Sequence, residues 1–320
     1  MTGRIKMRRF LLVKRRIPIC FACDDNYAPY LAVAIRSIKD NVSCDYNYYI
    51  HILNSGINEE NRAAILKMSD ENFTVDFVDV SRKMKRLCSK LNLRDYYSAS
   101  IYYRIFIPHL FPQYNKAIYL DSDIIVTEDI SRLFFTDISD SLLGVVADQV
   151  VAAIPEFVHY VDVVCNVKAD KYFNSGVLLM NLERMREEAI EEKFVEIFNE
   201  YNFPTVAPDQ DYLNVLCRDR VLYLDKGWNK MSVDTDYDGV PPIIHYNMFN
   251  KPWQYDGIPY ADEFWKYAKR TEFYDELLLG KNNFTEADKE KHLRGGAALL
   301  ASAVEISESE HTFRRVLFSC

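Results

Sequence analysis

The sequence predicts an α/β protein with a parallel-rich sheet covered by helices. Apolar runs of strand length alternate with stretches of helical spacing through the first 120 residues, the pattern of strand and crossover units. The chain of 320 residues is 49% apolar and 14% aromatic, enough to bury one large core or two small ones. Charged residues make up 27%, with 11 Pro, 10 Gly and no repeat or low-complexity block, which excludes a disordered or fibrous chain.

Ile17 to Cys23 reads as a strand ending at Asp24-Asp25-Asn26, and Tyr30, Val33, Ala34 and Ser37-Ile38 repeat behind it at helical spacing. A strand at Tyr48 to Leu53, a helix at Asn58 to Met68 and a strand at Phe73 to Val80 continue the alternation. Ser98 to Leu110 reads as a helix stopped near Pro112, and Lys116 to Leu120 as a buried strand running into Asp121-Ser122-Asp123.

Beyond that point the rhythm breaks. Leu143 to Ala147, Val177 to Met180 and Val221 to Leu224 read as strands, Glu183 to Tyr201 as one charged amphipathic helix, and Asp209 to Cys217 as a helix with an acidic start. Aromatic-rich loops follow through Trp228, Tyr237, His245 and Trp253. The expected organisation is a basic tail at 1–16, one domain at 17–270, and a C-terminal appendage at 271–320 whose last part, including Gly295-Gly296, does not read as core.

The net charge is −8, and residues 1–16 hold seven basic side chains and no acid, so the remainder is more acidic still. Such a body repels phosphate backbones, and nucleic acid is not an expected partner. The tail reads as a solvated segment, with Met7 a second candidate start, or as a peripheral contact with an anionic membrane. Its apolar run Phe10 to Val13 is too short for an export signal. The most apolar region, Leu142 to Val164, is interrupted by Asp148, Glu156, His159 and Asp162, so no membrane span is expected. Seven widely spread cysteines, an odd number, suit reduced thiols and a cytoplasmic setting, at most peripheral on the inner face of the membrane. Cys20 and Cys23 have redox or zinc spacing, but in a strand they face opposite sides.

Neither GxGxxG nor GxxxxGK[ST] occurs, so a bound phosphate would be neutralised by a metal ion or by side chains. Two Asp at i and i+2 at a strand end project to one side and can hold Mg²⁺ or Mn²⁺ against a diphosphate. The spacing occurs at Asp121/Asp123, Asp209/Asp211, Asp234/Asp236 and Asp236/Asp238, and only the first pair ends an apolar strand. Ligands of open α/β sheets bind at that edge, though a solvated acidic turn has the same pattern.

Phe21 to Tyr27, Tyr102-Tyr103-Arg104, Tyr119 to Asp123, Phe173 to Asn181, Asp209-Gln210-Asp211 and His245-Tyr246 followed by Lys251-Pro252-Trp253 together resemble the ordered motifs of glycosyltransferase family 8. That family includes bacterial lipopolysaccharide galactosyl- and glucosyltransferases and glycogenin. The resemblance implies a GT-A-type nucleotide-sugar-binding fold, with a mixed, mostly parallel sheet flanked by helices. It also implies transfer of a hexose, galactose or glucose, from a UDP-sugar to a saccharide or lipid-linked saccharide with retention of configuration.

By the resemblance, Asp121, Asp123 and His245 match Mn²⁺ ligands, with Mg²⁺ the alternative. Ala22, Asp24, Asn26 and Tyr27 match the uridine-contacting stretch, Lys251 the diphosphate-binding residue, and Arg104 one close to the donor. Asp148, Asn174, Ser175, Asp209 and Gln210 match the pocket around the transferred sugar. Each also has a plain reading: a helix cap for Asp24 to Asn26, a packed histidine at 245, surface salt bridges for Arg104 and Lys251, an acidic first turn for Asp209 to Asp211, and a packing anchor for Trp253. Retention through a covalent intermediate needs a carboxylate nucleophile; Gln210 is a poor one, so same-face attack is expected, with Gln210 and Asp209 positioning the sugar. Met248 departs from the family, which has Gly three residues after the His, and from residue 272 onward acids outnumber bases, unlike the basic C-termini of membrane-docking relatives. A sugar-nucleotide pyrophosphorylase is disfavoured by the missing Gly- and Arg-rich loop, and an inactive nucleotide-sugar-binding or scaffold relative is the alternative to an enzyme.

Overall fold

Period-two alternation sorts the strand side chains between two apolar layers. In a computed structural model that describes residues 14–81, 98–249 and 251–318, strand β1 (Arg16–Ala22) sends Ile17, Ile19 and Phe21 into one layer and Cys20 into the other. The remaining strands are β2 (Asn47–Asn54), β3 (Phe73–Asp79), β4 (Lys116–Leu120), β5 (Ile124–Val126), β6 (Leu143–Val145), β7 (Val177–Asn181), β8 (Val221–Tyr223), β9 (Lys230–Met231) and β10 (Ile243–His245).

Seven strands form one sheet in the order β3-β2-β1-β4-β7-β6-β8. The β3-β2-β1-β4 half is parallel, β7 runs antiparallel to both β4 and β6, and β6 pairs parallel with β8. The expected mixed, mostly parallel sheet flanked by helices is therefore present. A second, three-stranded sheet, β5-β10-β9, stands beside it.

Helix Ala28–Asn41 covers the face that holds Ile19, Ile118 and Leu179. The other face carries Tyr103, Tyr119, Leu178 and Met180 beneath Phe194 and Tyr212. Burying an aromatic or aliphatic side chain of this size contributes about 1.5–3 kcal/mol, so the two layers supply most of the fold's stability.

Three expected elements are built differently. Ser98–Phe106 winds as a 3₁₀ helix before a short α-helix at Ile107–Leu110; the threefold winding eclipses i and i+3, aligning Ile101 with Arg104. The expected single helix Glu183 to Tyr201 is two, Leu182–Glu187 and Ile190–Tyr201, broken where Ala189 takes φ 53°. The break lets Leu182 and Met185 pack at the β4-β7 end while Phe194 and Phe198 turn toward Tyr212. β9 and β10 lie inside the segment expected to be aromatic loop.

C-terminal helix Glu286–Glu308 starts with a Thr285 capping box and packs on helix Pro155–Val163. Its Ala303, with Phe313 beyond it, is fully buried in the layer that holds Tyr212, whereas Gly295 and Gly296 face the Phe249 ring. No helix among the described residues is long and apolar enough to cross a membrane. Cys20, Cys23, Cys165 and Cys217 are buried free thiols, and Cys44 is exposed. Residues 1–13 of the basic tail, and with them most of the expected membrane contact, lie outside the described residues, as do Cys88 and Cys320.

Candidate functional site

The carboxyl ends of β1 and β4 open onto two adjoining cavities. One, of about 260 Å³, is lined by Ala22, Cys23, Asp24, Tyr27, Ile101 and Ser122. The other, of about 300 Å³, is lined on its polar side by Asp148, Asn174, Ser175, Asp209, Gln210 and His245. Both share Arg104, Asp121 and Asp123.

Antiparallel pairing of β4 with β7 carries Asp121 past the strand end, where its N–H donates to the Gly176 carbonyl at 2.8 Å. Asp123 is delivered by β5, and β10 pairs with β5 so that Tyr246 N–H donates to the Asp123 carbonyl at 2.9 Å. His245 thus arrives from 122 positions away with its Nε2 3.3 Å from Asp123 Oδ1 and 3.9 Å from Asp121 Oδ2. One ligand atom from each of the three lies within 4.8 Å of the others. Two carboxylates and an imidazole suit Mn²⁺ or Mg²⁺.

The packing around the three residues fits such an ion. A Cβ on Gly176 would lie 2.6 Å from Asp121 Oδ2 and closer still to His245 Cε1, so only glycine leaves this cradle open. His245 is buried, and its Nδ1 is 2.9 Å from Asn229 Oδ1, which leaves Nε2 facing the carboxylates. Tyr119 O–H donates to Asp121 Oδ1 at 2.8 Å.

Arg104 and Lys251 are buried rather than surface groups. The Arg104 guanidinium pairs with Asp121 and Asp209, each at 3.0 Å, donates to the Ser175 carbonyl at 2.7 Å and lies over the Tyr119 ring. Burial disfavours its charge, but these carboxylates raise its pKa above the ordinary value. Lys251 Nζ pairs with Asp123 and donates to the Tyr246 carbonyl. Burial alone would raise the Asp123 pKa, yet Lys251 and His245 hold it well below the usual carboxylate range.

The Asp209 and Asp211 carboxylates part company, because residues two apart on helix Pro208–Cys217 do not share a face. Asp209 meets Arg104 and accepts from Ser175 Oγ at 2.9 Å. Asp211 turns inward, accepting from Tyr160 at 2.8 Å and Tyr172 at 2.5 Å. Burial raises the pKa of both. Gln210 Oε1 accepts from Ser175 N–H at 2.9 Å and from Asn174 Nδ2, while its Nε2 donates to Asp148 Oδ2. Asp148 also caps helix Gln149–Ala153 through Val150 and Val151 N–H. The remaining acidic repeats bind lysines: Asp234 and Asp236 hold buried Lys230, and Asp236 holds Lys226.

Asp24 caps the turn Asp25–Tyr27 through Tyr27 N–H at 3.0 Å, and Asp25 instead reaches Asn58 and Asn61 at the start of helix Glu59–Leu66. Asn26 is exposed and does not line the cavity. Trp253 is a packing anchor, buried against Tyr30, Tyr246 and Phe264. Met248 adopts φ 52°, the left-handed conformation that glycine favours. Asn229 and Gly176 also belong to the candidate site; Gly176 lies inside the motif at 173–181, whereas no local sequence pattern marks Asn229.

A profile of Glycosyl transferase family 8 matches residues 18–257. A Haemophilus influenzae protein provisionally named a glycosyltransferase is 32% identical over 219 residues, 68% of this chain. The chain spans 64% of that relative's length. The lipopolysaccharide 1,2-glucosyltransferase of Escherichia coli is 24% identical over 278 residues, 78% of this chain and 76% of its own. Among solved structures, the galactosyltransferase LgtC in complex with donor and acceptor sugar analogues is similar with a TM-score of 0.65 and 27% identity, covering 82% of this chain and 100% of that one.

Proposed function

Since the chain belongs to glycosyltransferase family 8, we propose that it is a retaining, metal-dependent hexosyltransferase moving galactose or glucose from a UDP-sugar to a saccharide or lipopolysaccharide-type acceptor. The convergence of Asp121, Asp123 and His245 between the two cavities carries this reading. The names of the similar enzymes, a galactosyltransferase and a lipopolysaccharide glucosyltransferase, support the two sugars and the acceptor class.

In this reading the uracil and ribose occupy the cavity of Ala22, Asp24 and Tyr27, with Asn26 on its outer turn, and the transferred sugar lies among Asp148, Asn174, Ser175, Asp209 and Gln210. A divalent cation held by Asp121, Asp123 and His245 would neutralise diphosphate charge and stabilise the departing UDP. Lys251, which pairs with Asp123 beside the triad, would add a second positive charge near the same phosphates. Arg104 offsets the mutual repulsion of Asp121 and Asp209 and holds both in place. Gln210, tied to Ser175 N–H and Asp148, orients the sugar without offering a nucleophilic carboxylate. Attack then occurs on the face from which UDP departs, and the leaving phosphate takes the proton of the acceptor hydroxyl.

A lipid-linked acceptor would bring the enzyme to a membrane surface, where the basic residues 1–16 supply the electrostatic contact. The deciding assay supplies UDP-galactose and UDP-glucose in turn with Mn²⁺, against an EDTA control. Release of UDP that EDTA abolishes supports the reading. No turnover of any UDP-sugar would identify an inactive nucleotide-sugar-binding relative.

A further inference from the structure

We propose that Asn229 is a positioning residue that fixes the His245 tautomer and joins the metal-binding triad to the sugar pocket. The proposal rests in part on the transferase reading, because it takes His245 as a metal ligand; the tautomer itself follows from the hydrogen-bond chain alone.

The chain starts at a group whose polarity cannot reverse. Gly176 N–H donates to Asn174 at 2.9 Å, and a backbone N–H never accepts, so the Asn174 atom facing it is Oδ1. Asn174 Nδ2 then points the other way and donates to Asp148 Oδ2 and Gln210 Oε1, each at 3.1 Å. Gln210 is independently oriented by Ser175 N–H, which donates to its Oε1.

With Asn174 fixed, the atom of Asn229 that lies 3.0 Å from Asn174 Oδ1 is Nδ2, a donor. Its Oδ1 therefore faces His245 Nδ1 at 2.9 Å and accepts from it. Nδ1 carries a proton, and Nε2 is the ring nitrogen turned toward Asp121 and Asp123, where a metal ion would take it as ligand. Asn229, Asn174 and His245 are all buried, so water does not offer competing partners. Asn229 is itself held in place, because Gln149 Nε2 donates to its carbonyl at 2.9 Å. One buried amide thus sets the ligand atom of the histidine while donating to the Asn174 oxygen that Gly176 N–H has already oriented, linking both halves of the site.

The test uses ¹⁵N-histidine-labelled full-length protein, with long-range ¹H-¹⁵N spectra recorded metal-free and with Mg²⁺. The His245 signal, assigned with His245→Gln, is expected to show a protonated Nδ1 in both samples. Mn²⁺ binding and UDP-sugar binding are then measured for two variants. Asn229→Ala removes both contacts and is expected to lower Mn²⁺ affinity about 10–100-fold, with the tautomer released. Asn229→Asp still accepts from Nδ1 but cannot donate to Asn174; it is expected to keep Mn²⁺ affinity near wild type while binding UDP-sugar more weakly relative to UDP. A purely structural residue would not split the two ligands in this way. If Asn229→Ala does not fold, the wild-type spectrum and Asn229→Asp decide. An unprotonated Nδ1, wild-type Mn²⁺ affinity in Asn229→Ala, or equal loss of both ligands in Asn229→Asp would overturn the proposal. Wild-type protein that binds no Mn²⁺ would instead overturn the transferase reading and leave the tautomer result standing.

Discussion

Gly176 lies against His245 so closely that no side chain fits between them, and the same Cβ would also meet Asp121 Oδ2 at 2.6 Å. The glycine is required here by space, since its backbone lies outside the left-handed region. Gly176→Ala should therefore push His245 and Asp121 apart. The expected result is a fall in Mn²⁺ affinity and in kcat of at least tenfold, with a stability loss of about 1–3 kcal/mol from overpacking. Binding calorimetry and thermal unfolding of the same preparation check both.

Met248 keeps a glycine-like conformation at the position where glycine is usual in the family, with φ 52° and 41% exposure. Met248→Gly is expected to fold with unchanged stability to within about 1 kcal/mol, relief of strain balancing the entropy of glycine. Met248→Val should lose about 1–2 kcal/mol, because a β-branched residue is disfavoured there. Denaturant midpoints separate the two outcomes.

Asp25 joins the first strand's loop to helix Glu59–Leu66, accepting from Asn58 N–H at 2.9 Å and from the Asn58 and Asn61 amides. The Asn58 backbone N–H foremost, aided by those amides, lowers its pKa below the ordinary 3.8. A lowered folded value means that the contribution is present above pH 3.8 and fades as pH falls below it. Asp25→Ala should lower stability by roughly 0.5–1 kcal/mol near neutrality, allowing for solvent screening. The difference in Tm between wild type and variant should close as the pH is lowered through that range.

Gln210 is fastened by Ser175 N–H and Asp148 on the sugar side of the triad. Gln210→Ala should lower kcat about 100-fold while leaving UDP affinity unchanged. Intact-protein mass spectrometry during turnover should show no added hexose on wild type or variant. A sugar bonded to a side chain would replace same-face attack with a two-step route.

The acidic pair was legible in the sequence because a strand end fixes where Asp121 and Asp123 project, and the alternation that predicts β1 to β4 is strong locally. His245 was not legible in that way. It reaches the pair through β5, β9 and β10, strands of two or three residues that are too short to show a period, and β10 meets β5 across more than 100 positions of sequence; only the likeness of ordered motifs pointed to it. Asn229 lies in the short turn Lys226–Asn229, where an asparagine has no distinguishing pattern. The left-handed break at Ala189 was hidden because neither Gly nor Pro marks it.

The most direct measurement is the anomalous diffraction of a crystal soaked with Mn²⁺ and UDP. A peak within coordination distance of Asp121, Asp123 and His245 Nε2, bridged to both phosphates, is the predicted result. Phosphates bound without manganese, or manganese lying elsewhere while those carboxylates face solvent, would contradict it.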